Sequence, residues 1–471
     1  MACNFLPLNR DQMYLMPPSL REWLPDKDLA WFILDAVAEM DLKPFYKKYR
    51  TDGCGHPAFE PAMMVSLLLY SYCLGERSSR RIEHLCERDI AYRVIAANQV
   101  PDHTTIARFR QQHQEALAGL FTKVLRLCSE AGLVRVGVVA LDGTKMKANA
   151  ALDANRTYAS IEEEVEKWLK EAQAVDEGED RLYGPDRRGD ELPVELQDRR
   201  SRLARLKECK ARLEREATEA AAAQQARIEE RAVQEATTGK KLRGRKPKAL
   251  DPTPEAAAKA NATDPDSRIM KTRSGYVQGY NAQAAVTEEQ IIVAAELVQE
   301  ENDVQQLRPM LGKANENLAA IGSDQKIGVV LGDAGYWSEA NCSQANPEGP
   351  ELLVATTKDW KQRQAMREQP APRGRISASL SPRERMERKL LTKRGRALYK
   401  KRGQTVEPVF GQIKSARGCD RFRRRGKSAC ASEWQLICAT HNLMKLWRNR
   451  RVKVKNKWTT GCGTARKACW A

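Results

Sequence analysis

Three carboxylates stand where a chain could gather them around hard cations. Asp142 follows the apolar run 136–141, Asp333 follows the run 327–331 and Gly332, and Glu407 lies in Gln404-Thr405-Val406-Glu407-Pro408. Breaking or exchanging a phosphodiester needs carboxylates that converge on divalent cations, and strand ends hold such groups stiffly. Taken singly, each aspartate has the ordinary reading of a turn or cap residue, as in Asp142-Gly143. Asp153 is set aside as a competitor because it follows Ala150-Ala151-Leu152 and no strand end. Between Lys389 and Lys427 there are 14 Lys or Arg against two acids, Glu407 and Asp420. So positive a field keeps a lone carboxylate ionised.

Positioning these groups calls for a sheet. Residues 136–141 are short, β-branched and nearly unbroken, which fits a strand buried on both faces. Residues 276–286 and 291–298 alternate around the polar turn 287–290 and predict a hairpin. A helix is expected over 303–320, where Val304, Leu307, Met310, Leu311 and Leu318 share a face, then strands at 327–331 and 352–356. Thr405 as N-cap would place Glu407 and Pro408 in the first turn of a further helix, with Val406, Phe410 and Ile413 facing the core. The fold class is α/β.

The blocks Ala140-Leu141-Asp142-Gly143-Thr144-Lys145, Leu331-Gly332-Asp333-Ala334-Gly335-Tyr336 and Val406-Glu407-Pro408-Val409-Phe410-Gly411-Gln412-Ile413-Lys414 follow one another in this order. In that order they resemble the transposases of bacterial insertion sequences that carry a DDE catalytic domain of ribonuclease H-like fold. Asn4-Phe5-Leu6-Pro7, Gly279-Tyr280-Asn281-Ala282-Gln283 and Thr440-His441-Asn442-Leu443 are similar to that family too, so the resemblance covers most of the chain. It implies a ribonuclease H-like mixed five-stranded sheet with flanking helices. Asp142 and Asp333 would sit at the carboxyl ends of its neighbouring first and fourth strands, and Glu407 on a helix packed against it. Together they would hold two Mg²⁺ or Mn²⁺. One ion would activate water or a DNA 3′-hydroxyl while the other stabilises the leaving oxygen. Tyr399 and Arg402 resemble the Tyr and Arg that precede the glutamate in related transposases. Here the Arg402 to Glu407 separation is one residue longer than the commonest form. Lys414 is expected to hold a DNA phosphate. The expected activity is cleavage at terminal inverted repeats and strand transfer into target DNA, by a homodimer on double-stranded DNA. Two rivals remain: a non-catalytic DNA-binding derivative, and a simple metal-dependent nuclease.

A length of 471 residues predicts two or three domains. Lys and Arg number 80 against 62 acids, a net charge of +18, and a polyanion is the natural counterpart. Residues 1–130 read as a helical N-terminal DNA-binding domain of short capped helices, with Thr104, Thr105, Arg108 and Arg110 facing DNA. Residues 131–157 and 268–447 form the expected catalytic domain. Residues 158–267 interrupt it as an inserted helical hairpin, a dimerisation candidate, followed by a basic linker. Within that linker, Arg243 and Arg245 in Leu242-Arg243-Gly244-Arg245-Lys246 resemble an AT-hook core that enters a minor groove. Residues 448–471 are a basic C-terminal tail. Tyr336 and Trp337 are candidates for stacking on an unpaired base, with core packing as the alternative. The twelve cysteines contain no Cys-x-x-Cys pair, so neither a zinc ribbon nor a thioredoxin-type motif is expected. No signal peptide and no run long enough to span a bilayer is evident, so a bacterial cytoplasmic, nucleoid-associated protein is expected.

Overall fold

The long strand β1 (Val138–Lys147) organises the chain, and both its edges are paired in this computed structural model. Described are residues 19–49, 57–167, 194–239, 246–272, 275–343, 349–377 and 379–459, with Lys241 and Gly244. On one edge β1 runs antiparallel to β5 (Gly275–Thr287); on the other it runs parallel to β7 (Val329–Gly332). β8 (Glu351–Val354) continues the parallel side beyond β7. β4 (Arg268–Thr272) pairs antiparallel with residues 275–279 of β5 and β6 (Ile292–Val298) with residues 281–286, so the two lie in tandem along the edge of β5 opposite β1. A separate ladder joins β2 (Asn155–Thr157) to β3 (Lys259–Asn261).

The five expected strand segments are present, but among the described residues the sheet has six strands and not five, with β4 added along β5, and β2 and β3 form a further two-stranded ladder that was not expected. β1 continues well past the expected end at Leu141, which puts Asp142 in mid-strand instead of at a strand terminus. The continuation is held by β5, whose Gly279 passes so close that a Cβ there would stand 2.2 Å from the Met146 carbonyl oxygen. Only the parallel pairing to β7 ends at Ala140, opposite Leu331.

Among the described residues, seven α-helices precede the sheet: α1 (Leu29–Ala38), α2 (Lys43–Tyr46), α3 (Pro61–Cys73), α4 (Ser79–Arg88), α5 (Ile90–Ile95), α6 (His103–Gln112) and α7 (Gln114–Glu130). Asp28, Glu60, Asp89 and Asp102 start α1, α3, α5 and α6 by accepting bonds from first-turn amides. α8 (Val194–Thr238) belongs to the insertion. The remaining helices are α9 (Leu307–Ala320), α10 (Glu339–Ser343), α11 (Trp360–Glu368), α12 (Pro382–Leu391), α13 (Lys393–Gly411) and α14 (Lys427–Thr459).

α14 ties the halves together, packing against α3, α7 and β6. Its Trp434, Ile437, Cys438 and Leu443 are fully buried, and Trp434 Nε1 donates to the Gln283 carbonyl of β5 at 3.1 Å. The apolar core is therefore continuous from Leu29 to Leu446 and does not break near residue 130. A second small core belongs to the insertion, where helical residues 158–167 lie antiparallel to the first half of α8. Tyr158 bonds Glu214 while Glu162 pairs with Lys210, and Ile161, Val165, Leu206 and Cys209 fill the space between. The turn-like segments 183–186 and 188–190, Arg243, Arg245, the opening block 4–7 and the last residues 460–471 lie outside the described residues.

Candidate active site

Extending the β1 to β7 register by two residues sets Asp142 level with Asp333. Their backbones are fixed from both sides. Asp333 Oδ1 accepts from the Gly335 amide at 2.7 Å, and Tyr399 of α13 donates its hydroxyl to the Gly332 carbonyl at 3.3 Å. Tyr399 thus positions the end of β7.

α13 also brings Arg402 and Glu407. Arg402 Nη2 lies 3.0 Å from Asp142 Oδ2, and its Nη1 lies 3.2 Å from Glu407 Oε1. Asp333 lies within the electrostatic reach of the same guanidinium. The three carboxylates therefore gather about one cationic side chain. Arg402 and Asp142 are mostly covered, whereas the Glu407 side chain is 61% exposed at the mouth. Burial pushes the Asp142 carboxyl up to about 7; Arg402 works against that shift, and Asp333 adds to it. Among the described residues no three His, Cys, Asp or Glu groups stand close enough to share a metal ion. The guanidinium fills the interval that separates Asp142 from Glu407. The donor set is all oxygen, which suits a hard cation such as Mg²⁺ or Mn²⁺.

A fourth carboxylate, Asp303, escaped sequence reasoning, which took it as the start of a helix. Its Oδ1 accepts from Asn281 Nδ2 at 2.7 Å and Gln283 Nε2 at 2.6 Å, both on β5. A Cβ at Gly335 would stand 2.8 Å from Asp333 Oδ1 and 3.1 Å from Asp303 Oδ2, so both acids border one small space. The signal was in Asn281-Ala282-Gln283. Two amides two residues apart face one side of a strand, and in a buried apolar setting they require an acceptor.

Thr405 is not an N-cap. α13 starts twelve residues earlier behind Thr392, whose hydroxyl oxygen accepts from the Gly395 amide at 2.9 Å; Thr405 Oγ1 donates to the Lys401 carbonyl at 2.7 Å. Pro408 consequently lies inside a helix, where it cannot donate to the Gln404 carbonyl. Gln290, in the turn between β5 and β6, supplies the missing donor through Nε2 at 3.0 Å. The helix then loosens into a π-helical turn over Gln412–Ala416. Lys414 sits in that turn and donates Nζ to the Lys145 carbonyl at 2.6 Å. Burial brings its amine down to about 8, with Asp420 pulling the other way.

A cleft of about 560 Å³ opens beside Glu407 and Arg402, between Thr356, Arg396, Tyr399 and Lys400. Tyr336 is fully buried and donates its hydroxyl to Gln283 Oε1, so it is a core residue and not a stacking platform; Trp337 packs against the same core. In α6, Thr104 and Thr105 bond the capping Asp102, and Arg108 is exposed. Arg110 faces inward, against the expectation. It donates to the Arg77 carbonyl at 2.8 Å and to Ser79 Oγ beside Tyr72, because the loop between α3 and α4 has carbonyls to satisfy there.

Comparison with known families matches two segments. A transposase domain (DUF772) covers residues 18–112, and a transposase DDE domain covers residues 357–447, a span that contains Arg402, Glu407 and Lys414. Together they support a DDE-type transposase of an insertion element. No curated protein and no solved structure matches the chain. Among the described residues no helix is long and apolar enough to cross a membrane.

Proposed function

We propose that this chain cuts DNA at the terminal inverted repeats of an insertion sequence and joins the freed ends to target DNA, with Asp142, Asp333 and Glu407 as the catalytic carboxylates. The observation that carries this reading is the meeting of β1, the end of β7 and α13 at the Arg402 guanidinium. Supporting it, β5 pairs antiparallel to one edge of β1 and β7 and β8 continue parallel from the other, as a ribonuclease H-like sheet would require.

Two divalent cations, when bound, would supply the polarisation that activates the attacking oxygen and steadies the leaving one. Asp142 and Asp333 would hold them from the rigid sheet, and Glu407 from the mouth of the cleft. Asp303 would hold the Asn281 and Gln283 side-chain amides of β5 in place beside the site. Arg402, released from its carboxylates, is placed to contact a phosphate, as are Lys414 and the exposed Arg108. The protein would act as a homodimer at the bacterial nucleoid.

The test is cleavage of a duplex carrying the element's own terminal repeat in Mg²⁺. Asp142→Asn, Asp333→Asn and Glu407→Gln should each lose about 10³-fold or more in rate, as loss of a metal-anchored displacement implies, while still binding the duplex. Cleavage retained by any variant removes that residue from the site. Trapping a joined product separates a transposase from a simple nuclease.

A further inference from the structure

We propose that the segment from Arg421 to Lys427 is a preformed clamp for the phosphate backbone of duplex DNA, bridged to the far end of β1 beyond the carboxylates. The proposal rests on the reading of the chain as a DNA enzyme, and it adds a surface that reading did not assign.

Four observations point to it. First, the segment is fixed to β1: Arg421 bridges Lys147, the Phe422 amide donates to the Lys147 carbonyl at 2.8 Å, and the Phe422 ring is buried edge-on against Tyr280. Second, the acids around it take backbone amides. Glu433 accepts from the amides of Arg423 and Arg424, Asp264 from Gly426, and Asp266 from Lys427, all at 2.9 to 3.2 Å. Third, the side chains of Arg421, Arg423, Arg425 and Lys427 remain exposed. Fourth, the run leads into the N-terminus of α14, where a helix dipole disfavours cations. A local conflict of this kind, anchored by buried acids, is a mark of function over stability. The anchor itself is deep: Glu433 is ion-paired at 3.1 Å with Arg77, whose guanidinium also holds the Arg421 and Gly418 carbonyls.

Lys147 is five residues beyond Asp142 on β1, or roughly 17 Å at the strand rise. At 3.4 Å per base pair that distance corresponds to about five base pairs. Lys414, whose Nζ donates to the Lys145 carbonyl, lies between Asp142 and Lys147.

The experiment measures binding of a 40-base-pair duplex (roughly four helical turns) in EDTA over a range of salt. For Arg421→Gln/Arg423→Gln/Arg425→Gln, the slope of log affinity against log salt should shrink by roughly 2.7, three phosphate contacts at about 0.9 each. A control that removes three exposed charges from α8, Lys207→Gln/Arg215→Gln/Arg227→Gln, should change it little. Equal slopes for the native chain and the clamp variant, or equal losses in the two variants, overturn the clamp. Because no divalent ion is present, those outcomes leave the catalytic reading standing. Absence of duplex binding by the native chain overturns both.

Discussion

Arg402 Nη2 stands 3.0 Å from Asp142 Oδ2 while its other terminal nitrogen reaches Glu407, so one guanidinium occupies the ground between two acids of different elements. Buried acids repel one another, and a cation among them keeps the cluster assembled. A metal entering there must compete with the arginine.

Arg402→Ala is therefore expected to tighten Mn²⁺ binding to the DNA-free protein on the order of tenfold, about 1.4 kcal/mol. Titration followed by the paramagnetic signal of free Mn²⁺ reads this directly. Unchanged or weaker binding would mean that the guanidinium and the ion do not share space.

Asp303→Ala removes the acceptor of two amides on β5. Leaving buried donors unmet costs about 1–3 kcal/mol, which urea denaturation would register. Cleavage should fall further than the stability loss accounts for, because Asp333 loses its neighbour across Gly335. A variant that stays as stable and as active as the native chain would make Asp303 incidental.

Gln290 and Pro408 should be energetically coupled. With Pro408→Ala the helix regains its own donor to the Gln404 carbonyl, and the Gln290 amide becomes redundant there. A double-mutant cycle with Gln290→Asn should give a coupling of about 0.5–1.5 kcal/mol, the net worth of one hydrogen bond. Strict additivity would show that the carbonyl is served by something else.

His441 is buried, with Nε2 donating to the Gln290 carbonyl at 3.0 Å. Burial, then the Arg417 charge, brings its imidazole down from 6.5 to about 3. Between those values the unfolded chain takes up a proton that the folded chain refuses. Stability contributed by His441 is thus whole above pH 6.5 and lost on acidification through that window, at up to about 1.4 kcal/mol per pH unit. His441→Gln, which keeps a donor for the carbonyl, should flatten that part of the stability profile between pH 6.5 and 4. An unchanged slope would place the acid sensitivity elsewhere.

Much of the sheet was legible because its strands are apolar over most of their length and Gly or polar turns bound them. Asp142, Asp333 and Glu407 could be named because each sits in a distinctive local block. What stayed hidden was decided by partners remote in sequence. Nothing near Thr405 announces that Gln290 will cover the carbonyl exposed by Pro408, so a helix start was the natural expectation. Arg110 reads as a surface residue until the Arg77 and Ser79 groups that enclose it are in place. Asp303 looked like the start of a helix because its two amide partners lie twenty and twenty-two residues upstream.

In the small ladder of β2 and β3, Thr157 faces Lys259, so the chain departs on its long helical excursion and comes home at the same doorway. Closing a loop whose ends already touch depends only weakly on how much chain lies between them. The entropy of closing that loop is therefore nearly independent of its length, and the inserted helix touches the sheet mainly through Glu216, paired with Arg268 of β4. An appendage of another length could leave from and return to the same point at little extra cost in loop closure.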